Sequence, residues 1–391
     1  MGRVSKNNLI IKCQQEFIDH FGSRSFYTAT APGRINIIGE HTDYNLGLAM
    51  PIAIDRWICS VVSRRKDSKV NICSSNFNEK VCLDMDDFDM PDKGWVKYSA
   101  GCVKVFMSEF GIDTGFDILI GGNVPIGFGV SSSAALEVSL LGALFYSSEL
   151  KIDNYKILEL SSKVEKNFLG IKSGLLDQYA SIFSKPNKPL LIDFSSMSHS
   201  YVKSSISQAS WVLINSMVDR ALVDSDYNSR VEECQEALEK INFPKKIKIK
   251  MNDISDVDLQ RIKDSKILFK RLSHVLSENK RVYLMKNALE SGDLDLIGKI
   301  LNDSHFSLSR DYDVSCEEID KIIDISSKIE GFYGGRIMGG GFGGCCLCLV
   351  DNCRKESFAN QVVQDFQNQF KYELKVEFIN FSEGLSLFRK V

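Results

Sequence analysis

Apolar residues recur along this chain at two spacings, and the alternation between them sketches its architecture. Ala134, Val138, Leu141 and Phe145 form one stripe at helical spacing within residues 134–150. Ile157, Leu160, Val164 and Phe168 repeat the pattern over 155–169, with Gly170 as a C-cap. Near the N-terminus Leu9, Cys13 and Phe17, with Ile10 alongside, predict an amphipathic helix. Residues 26–65 instead alternate and are rich in β-branched side chains, which predicts strands around a polar loop. "PLLIDF" (189–194) and "WVLINS" (211–216) read as further strands. Beyond them helices are expected over 226–241, 256–263, 267–291, 293–302 and 316–329. A glycine-rich run, 334–350, leads into a strand, and a helix (355–370) and a strand (373–381) complete the chain. The change of character near 200–210 marks two α+β halves, 1–205 and 206–391, with a cleft between them.

Composition narrows the function classes. The chain has 391 residues, 44% hydrophobic and 25% charged, enough for two cored domains. A formal charge of −3 gives no reason to expect nucleic acid or an anionic membrane as partner. "KKIKIK" (245–250) is read as an exposed strand or loop. The eleven cysteines are irregularly spaced and several lie in apolar runs such as "GGCCLCLV". That suits reduced, buried thiols in a cytoplasmic protein better than a disulfide framework, and no paired CxxC suggests zinc. The N-terminus lacks a signal-peptide core, and no run approaches eighteen apolar residues.

Three stretches carry candidate chemistry. In "GGNVPIGFGVSSSAALEVS" (121–139), Gly127 and Gly129 permit positive φ and close approach to a ligand, and a helix opens near Ser133. Its free N–H groups and dipole make an anion site, phosphate above all. A plain loop with a serine N-cap explains the same residues. There is no GxxxxGK[ST], so this is not the Walker-type loop. The second stretch, Gly339 to Gly344, formally contains GxGxxG but runs into a strand rather than a helix. That excludes a dinucleotide loop and leaves a close backbone approach, or a sharp β-turn. The third, "APGRINIIGEHTDYN" (31–45), crowds Arg34, Glu40, His41 and Asp43 between strands. It has too few ligands for a metal, and reads either as a surface loop with ion pairs or as a sugar-recognition loop.

Together these stretches resemble the GHMP family of small-molecule kinases, and within it the galactokinases. "GRINIIGEHTDYNLG" is similar to the galactokinase signature, "PIGFGVSSSAALE" to the family phosphate motif, and "GGRIMGGGFGGC" to its C-terminal motif. Further matches in 164–181, 215–230 and 303–320 extend the resemblance from about 25 to 350. It implies a two-domain α+β fold, N-terminal like ribosomal protein S5 domain 2 and C-terminal ferredoxin-like, with the active site in the cleft. It also implies transfer of a phosphoryl group from ATP to the anomeric hydroxyl of galactose. The implied partners are the sugar and ATP, with no nucleic acid and no membrane, in a monomer.

Carried over by position, Gly127, Phe128, Gly129, Val130, Ser131, Ser132 and Ser133 would wrap the ATP phosphates. Ser133 and Glu165 would hold Mg²⁺. Glu40, His41, Asp43 and Tyr227, with Thr42 through its backbone, would bind the sugar. Asp177 would be the catalytic carboxylate and Arg34 its partner. Trp95 would stack on adenine, with Ser74 or Ser75 near the nucleotide. Phe128 and Val130 depart from the common "GxGLSSS", and Phe128 is expected to point away from the phosphates. Lys172-Ser173 departs near the sugar, which leaves N-acetylgalactosamine or L-arabinose as alternative substrates. A non-catalytic galactose and ATP sensor is the rival from another class. The intact serine motif, Asp177 and Arg34 favour the enzyme.

Overall fold

A computed structural model of the chain describes residues 5–23, 25–85, 91, 94–170, 173–218, 223–243 and 249–389. Among them the strands are β1 (Tyr27–Asn36), β2 (Leu48–Ala49), β3 (Pro51–Arg64), β4 (Lys69–Ser74), β5 (Glu79–Asp84), β6 (Phe116–Gly122), β7 (Leu190–Asp193), β8 (Ser198–Tyr201), β9 (Ala209–Asn215), β10 (Phe332–Met338), β11 (Cys345–Asp351), β12 (Lys375–Phe378) and β13 (Ser386–Arg389). The helices are α1 (Lys6–Phe21), α2 (Gly94–Phe110), α3 (Ser132–Ser147), α4 (Asn154–Val164), α5 (Leu176–Phe183), α6 (Val223–Asn242), α7 (Asp256–Gln260), α8 (Lys266–Ser291), α9 (Leu294–Ser307), α10 (Glu317–Ser326) and α11 (Lys355–Phe370). Most of the run 245–250, and Lys172, lie outside the described residues.

Two sheets organise the chain. The first has the order β13-β1-β3-β6-β4-β5, antiparallel except where β4 meets β6. One face is covered by α1, whose Leu9, Cys13 and Phe17 meet Trp57, Cys59 and Leu119; α2 to α5 cover the other. The second sheet runs β10-β11-β9-β12, all antiparallel. Its central strands are buried on both faces, which explains their unbroken apolar sequence. Val212 and Ile214 with Cys346 and Cys348 face one core, whereas Trp211 and Leu213 with Cys345 and Leu347 face another. All eleven cysteines are unpaired.

The second of these cores is shared between the halves. Ile35, Ile37 and Met50 from the first join Val282, Met285, Leu301 and Met338 from the second. A division at 205/206 would leave 386–389 with the second half. The strand formed there pairs instead with β1, Thr28 opposite Phe388. No helix among the described residues is long and apolar enough to cross a membrane.

Two helices end differently from the periodicity. The 155–169 pattern is helical only to Val164; Glu165–Leu169 form a π turn, closed by Gly170 at φ 68°. The helix expected over 293–302 continues to Ser307, because Ser304 and His305 keep its buried stripe going. It then widens into a second π turn, Leu308–Tyr312. Such widened turns add one residue and re-aim the side chains around them. Residues 334–338, read only as glycine-rich, form most of strand β10, so 339–344 is the loop of a β-hairpin.

Candidate active site

The glycine–serine loop is built backbone-first. Gly127 and Gly129 sit at φ 82° and 65°, and space is open where a side chain of Gly127 would go, so glycine is needed there for conformation. The loop carbonyls are turned outward. Gly129 O accepts from Arg34 Nη1 (2.7 Å), Val130 O from Arg34 N (3.0 Å) and Gly127 O from Asn215 Nδ2 (3.3 Å). With carbonyls occupied, the first turn of α3 offers N–H donors to an anion. Phe128 and Val130 are buried in the core shared by the two halves, so the bulky ring points away from the groove as expected.

Ser131 precedes α3 in the left-handed region, φ 60°, without capping the helix through its side chain. Its hydroxyl donates instead to Asp177 Oδ2 at 2.5 Å. Asp177, in the first turn of α5, also accepts at Oδ1 from Arg34 Nε (2.8 Å) and Nη2 (2.6 Å). Both carboxylate oxygens are thus fixed by donors from the Arg34 stretch and the glycine–serine stretch. Arg34 itself is 5% exposed. It sits just past a β1 irregularity at Gly33, where a Cβ would fall 2.6 Å from Val130 O.

Arg34 and Asp177 stand at the junction of two cavities. One is lined by Glu40, His41, Asp43, Glu165, Ser173, Gly174, Gln178 and Tyr227. The other is a groove lined by Gly127, Gly129, Val130, Ser131, Ser132 and Ser133. Arg34, Asp177, Gly339 and Gly340 belong to both. Ser132 and Ser133 continue into a third cavity of about 430 Å³, mostly apolar, bounded by Ser74, Phe77, Trp95, Ile120, Val124 and Leu136. That volume lies in the range of roughly 300–1,000 Å³ usual for small-molecule sites. Trp95 stacks on Phe77 at 5.9 Å and donates from Nε1 to Glu79 at 3.2 Å, which fixes its ring on the cavity wall. Ser74 lines this cavity; Ser75 does not.

The loop after β1 is held from beneath. Glu278 of α8 accepts at Oε1 from Gly39 N (2.9 Å), Glu40 N (3.4 Å) and Ser304 Oγ (2.9 Å), and at Oε2 from Arg281 Nε (2.6 Å). Glu40 Oε1 accepts from Gly339 N (2.9 Å) and pairs with the fully buried Arg336 (3.2 Å). These contacts tie the stretch 31–45 to the C-terminal glycine stretch. Asp43 is pressed against Gly174, where a Cβ would fall 1.8 Å from Asp43 Oδ2. Tyr227 packs its ring 5.6 Å from His41 and 5.3 Å from Tyr44.

Thr42 is not brought to the cavity. It is wholly buried, its hydroxyl donates to Leu48 O (2.7 Å), and its carbonyl accepts from the amides of Asn45 and Gly47. Its hydroxyl and carbonyl staple the loop, which leaves only its amide for the backbone contact expected of it. The Ser131 hydroxyl is likewise engaged by Asp177, so Ser131 faces the groove with its backbone.

The carboxylates are crowded. Burial, then the charge of Asp177, raises Asp43 to about 6. Burial raises Glu165 to about 7 against a hydrogen bond from Ser173, with Asp177 again adding to the rise. Glu137, wholly buried beneath, is pushed well above the ordinary carboxyl range by burial and by Glu165. Its Oε2 accepts from Gln178 Nε2 at 3.1 Å. Carboxylates shifted upward by one another and by burial describe a site suited to one more cation. The donors are all oxygen, the chemistry of Mg²⁺, which takes one or two protein ligands and completes its shell with phosphate and water. Among the described residues no three His, Cys, Asp or Glu side chains form a metal cage. Glu165 and Ser133 line different cavities, with Asp177 lining the cavity of each.

Arg336, Glu278 and Gln178 were not singled out in the sequence. An arginine inside the apolar strand "GGRIM" was the one available signal.

Comparison with known proteins supplies the biological context. A model described as the galactokinase galactose-binding signature matches residues 15–64; GHMP kinases N terminal domain matches 97–185, and GHMP kinases C terminal matches 285–371. A galactokinase of Clostridium tetani is 35% identical over 379 residues, spanning 94% of this chain and 95% of that protein. The crystal structure of Lactococcus lactis galactokinase complexed with galactose superposes with a TM-score of 0.89 at 31% identity, covering 96% of this chain and 99% of that one. Methanococcus jannaschii mevalonate kinase shares the fold, with a TM-score of 0.65 at 18% identity, covering 93% of this chain and 100% of its own.

Proposed function

The chain belongs to the galactokinases of the GHMP kinase family, and on that premise we propose that it transfers the γ-phosphoryl group of ATP to the anomeric hydroxyl of galactose. The products are galactose 1-phosphate and ADP. One observation carries the reading. A polar, carboxylate-lined pocket and a glycine–serine groove share a wall made of Arg34, Asp177, Gly339 and Gly340. A sugar in the first and a triphosphate in the second would meet at that wall.

Phosphoryl transfer depends on positioning and charge neutralisation rather than on a protein nucleophile. Trp95 and the apolar cavity hold the adenine, and Gly127 to Ser133 hold the phosphates. Glu165 and the Ser133 hydroxyl would hold Mg²⁺ from the two sides of Asp177, and the ion would supply charge neutralisation on the phosphates. Glu40, His41, Asp43 and Tyr227 engage sugar hydroxyls with short, fixed groups. Asp177, its two oxygens held by Arg34 and Ser131, accepts a hydrogen bond from the anomeric hydroxyl and aims its lone pair at phosphorus. The hydroxyl proton passes to Asp177 late, as the O–P bond forms. Arg34 stabilises charge on the transferring group.

A panel of free sugars assayed with Mg-ATP, with the phosphorylated carbon located by NMR, tests this. Galactose phosphorylated at carbon 1 is expected, ahead of N-acetylgalactosamine and L-arabinose. Nucleotide and galactose binding without turnover would sink the reading. Gly174→Ala should separate the two half-sites. The new methyl displaces Asp43, so kcat/KM for galactose should fall about a hundredfold, the penalty of roughly an ångström of misplacement. The KM for ATP should hold, and a raised ATP KM would count against the assignment of Asp43 to the sugar.

A further inference from the structure

We propose that Tyr44, backed by Tyr312, fixes His41 in the tautomer protonated at Nε2, so that His41 presents a hydrogen-bond donor to the sugar. The proposal rests on the sugar-pocket reading only for the identity of the ligand. His41 Nδ1 lies 2.8 Å from Tyr44 Oη, which lies 2.8 Å from Tyr312 Oη, which lies 3.2 Å from Cys234 Sγ. These four groups form a file behind the pocket, buried at His41, Tyr312 and Cys234 and half-buried at Tyr44. The ring of His41 lines the pocket, and its Nε2 is buried without a partner among the described residues. The ring cannot easily swing away. His41 is in the left-handed region at φ 61°, its carbonyl accepts from Asn45 Nδ2 at 2.8 Å, and Tyr312 packs 4.7 Å from it.

Proton counting leaves two arrangements. His41 is neutral, because burial, then His274 and Arg230, lower its pKa well below 6.5. Both phenols are protonated, since burial raises each well above 10. Each phenol has one proton to give, and the tautomer of a neutral imidazole follows the bond made at its other nitrogen. In one arrangement Cys234 donates to Tyr312, Tyr312 to Tyr44, and Tyr44 to His41 Nδ1, which leaves the imidazole proton on Nε2. In the other every bond reverses, and Tyr312 must donate to the thiol. The Tyr44–Tyr312 bond is equivalent in both, so the ends decide. The first pairs a phenol donor with an imidazole nitrogen and uses the thiol as a weak donor. The second uses the phenol proton on sulfur, a weak acceptor. The first arrangement therefore wins. Tyr44 is the positioning residue that acts through His41; Tyr312 only supplies the proton that the Tyr44 oxygen accepts.

Protein labelled with ¹⁵N at histidine, free of ligand and at neutral pH, gives the tautomer directly from long-range ¹H–¹⁵N correlations. His41 is assigned by the signal lost in His41→Gln. The proton is expected on Nε2 in the wild type and also in Tyr312→Phe, where Tyr44 still donates to Nδ1. In Tyr44→Phe the Nδ1-protonated form should appear. There the KM for galactose should rise roughly five- to tenfold, the worth of one hydrogen bond, with the KM for ATP unchanged. A wild-type proton on Nδ1, or a switch of tautomer in Tyr312→Phe, overturns the proposal. If Tyr44→Phe does not fold, those two spectra decide. The tautomer is read without substrate, so a protein that phosphorylates no sugar would overturn the functional reading and leave this assignment standing.

Discussion

Asp177→Ala should lower kcat for galactose phosphorylation by roughly two to three decades, ~3 kcal/mol, the usual cost of removing one preorganised charged or donor group from a transition-state site. The fold should survive. The Asp177 side chain is about one-third exposed (34%) and lies in the first turn of a short helix, so its loss leaves little cavity. The two donors that it holds, Arg34 and Ser131, lose a common anchor, so the glycine loop loosens at Gly129 and Val130 as well. A modest rise in the KM for ATP is expected to accompany the fall in kcat. Asp177→Asn keeps the shape and can still accept from Ser131, but it removes the charge that faces Arg34. Its kcat should be nearly as low as that of the alanine variant. Steady-state kinetics with circular dichroism on both variants checks this. Near wild-type turnover in a folded Asp177→Ala protein would remove Asp177 from the mechanism.

The largest stability effect is expected at Glu278, far from the reacting atoms. Glu278→Ala leaves Arg281 without its short ion pair, and leaves Gly39, Glu40 and Ser304 without an acceptor, all in the buried base of the loop after β1. Breaking a buried pair from one side typically costs about 3–5 kcal/mol, and chemical denaturation should show a loss of that order. Acidity should expose the same group. Burial alone would raise Glu278, but Arg281, His274 and Arg336 outweigh it and hold it near 2 rather than 4.5. A carboxyl with a depressed folded pKa binds fewer protons folded than unfolded. Its stabilisation is therefore complete above pH 4.5 and is lost as pH falls toward 2. The denaturation midpoint of the wild type should drop over that window, and in Glu278→Gln this part of the slope should flatten. A Gln variant with the wild-type acid slope would show that other carboxyls govern it.

Much of the fold was legible because burial imposes a period. The α8 pattern was read as 267–291 and is found at Lys266–Ser291, since a helix half-buried along one side must repeat its apolar residues. The 355–370 helix was read to the residue, Lys355–Phe370. The π turns at Glu165 and Leu308 were not legible. A widened turn inserts one residue and otherwise uses the same amino acids as the helix that it ends. Strand β10 was hidden by its glycines. Gly334 lies so close to Gly298 that a Cβ would meet its carbonyl at 2.1 Å, so its glycine serves packing between α9 and the sheet rather than flexibility.

By itself the sequence determined which residue types were available for chemistry and which backbone segments could receive an anion. Glycines with positive φ, hydroxyls at a helix start and a carboxylate beside an arginine are local requirements, written in neighbouring positions. Tertiary structure decided what each group could do once there. It turned the Ser131 hydroxyl from phosphate to Asp177, drew the Thr42 hydroxyl into the loop, and left His41 Nε2 without a partner among the described residues. It also set Glu278, 239 positions from Gly39, beneath the loop. Hydrogen-bond partners are assigned by distance in space, and folding joins positions whose separation along the chain carries no periodic trace.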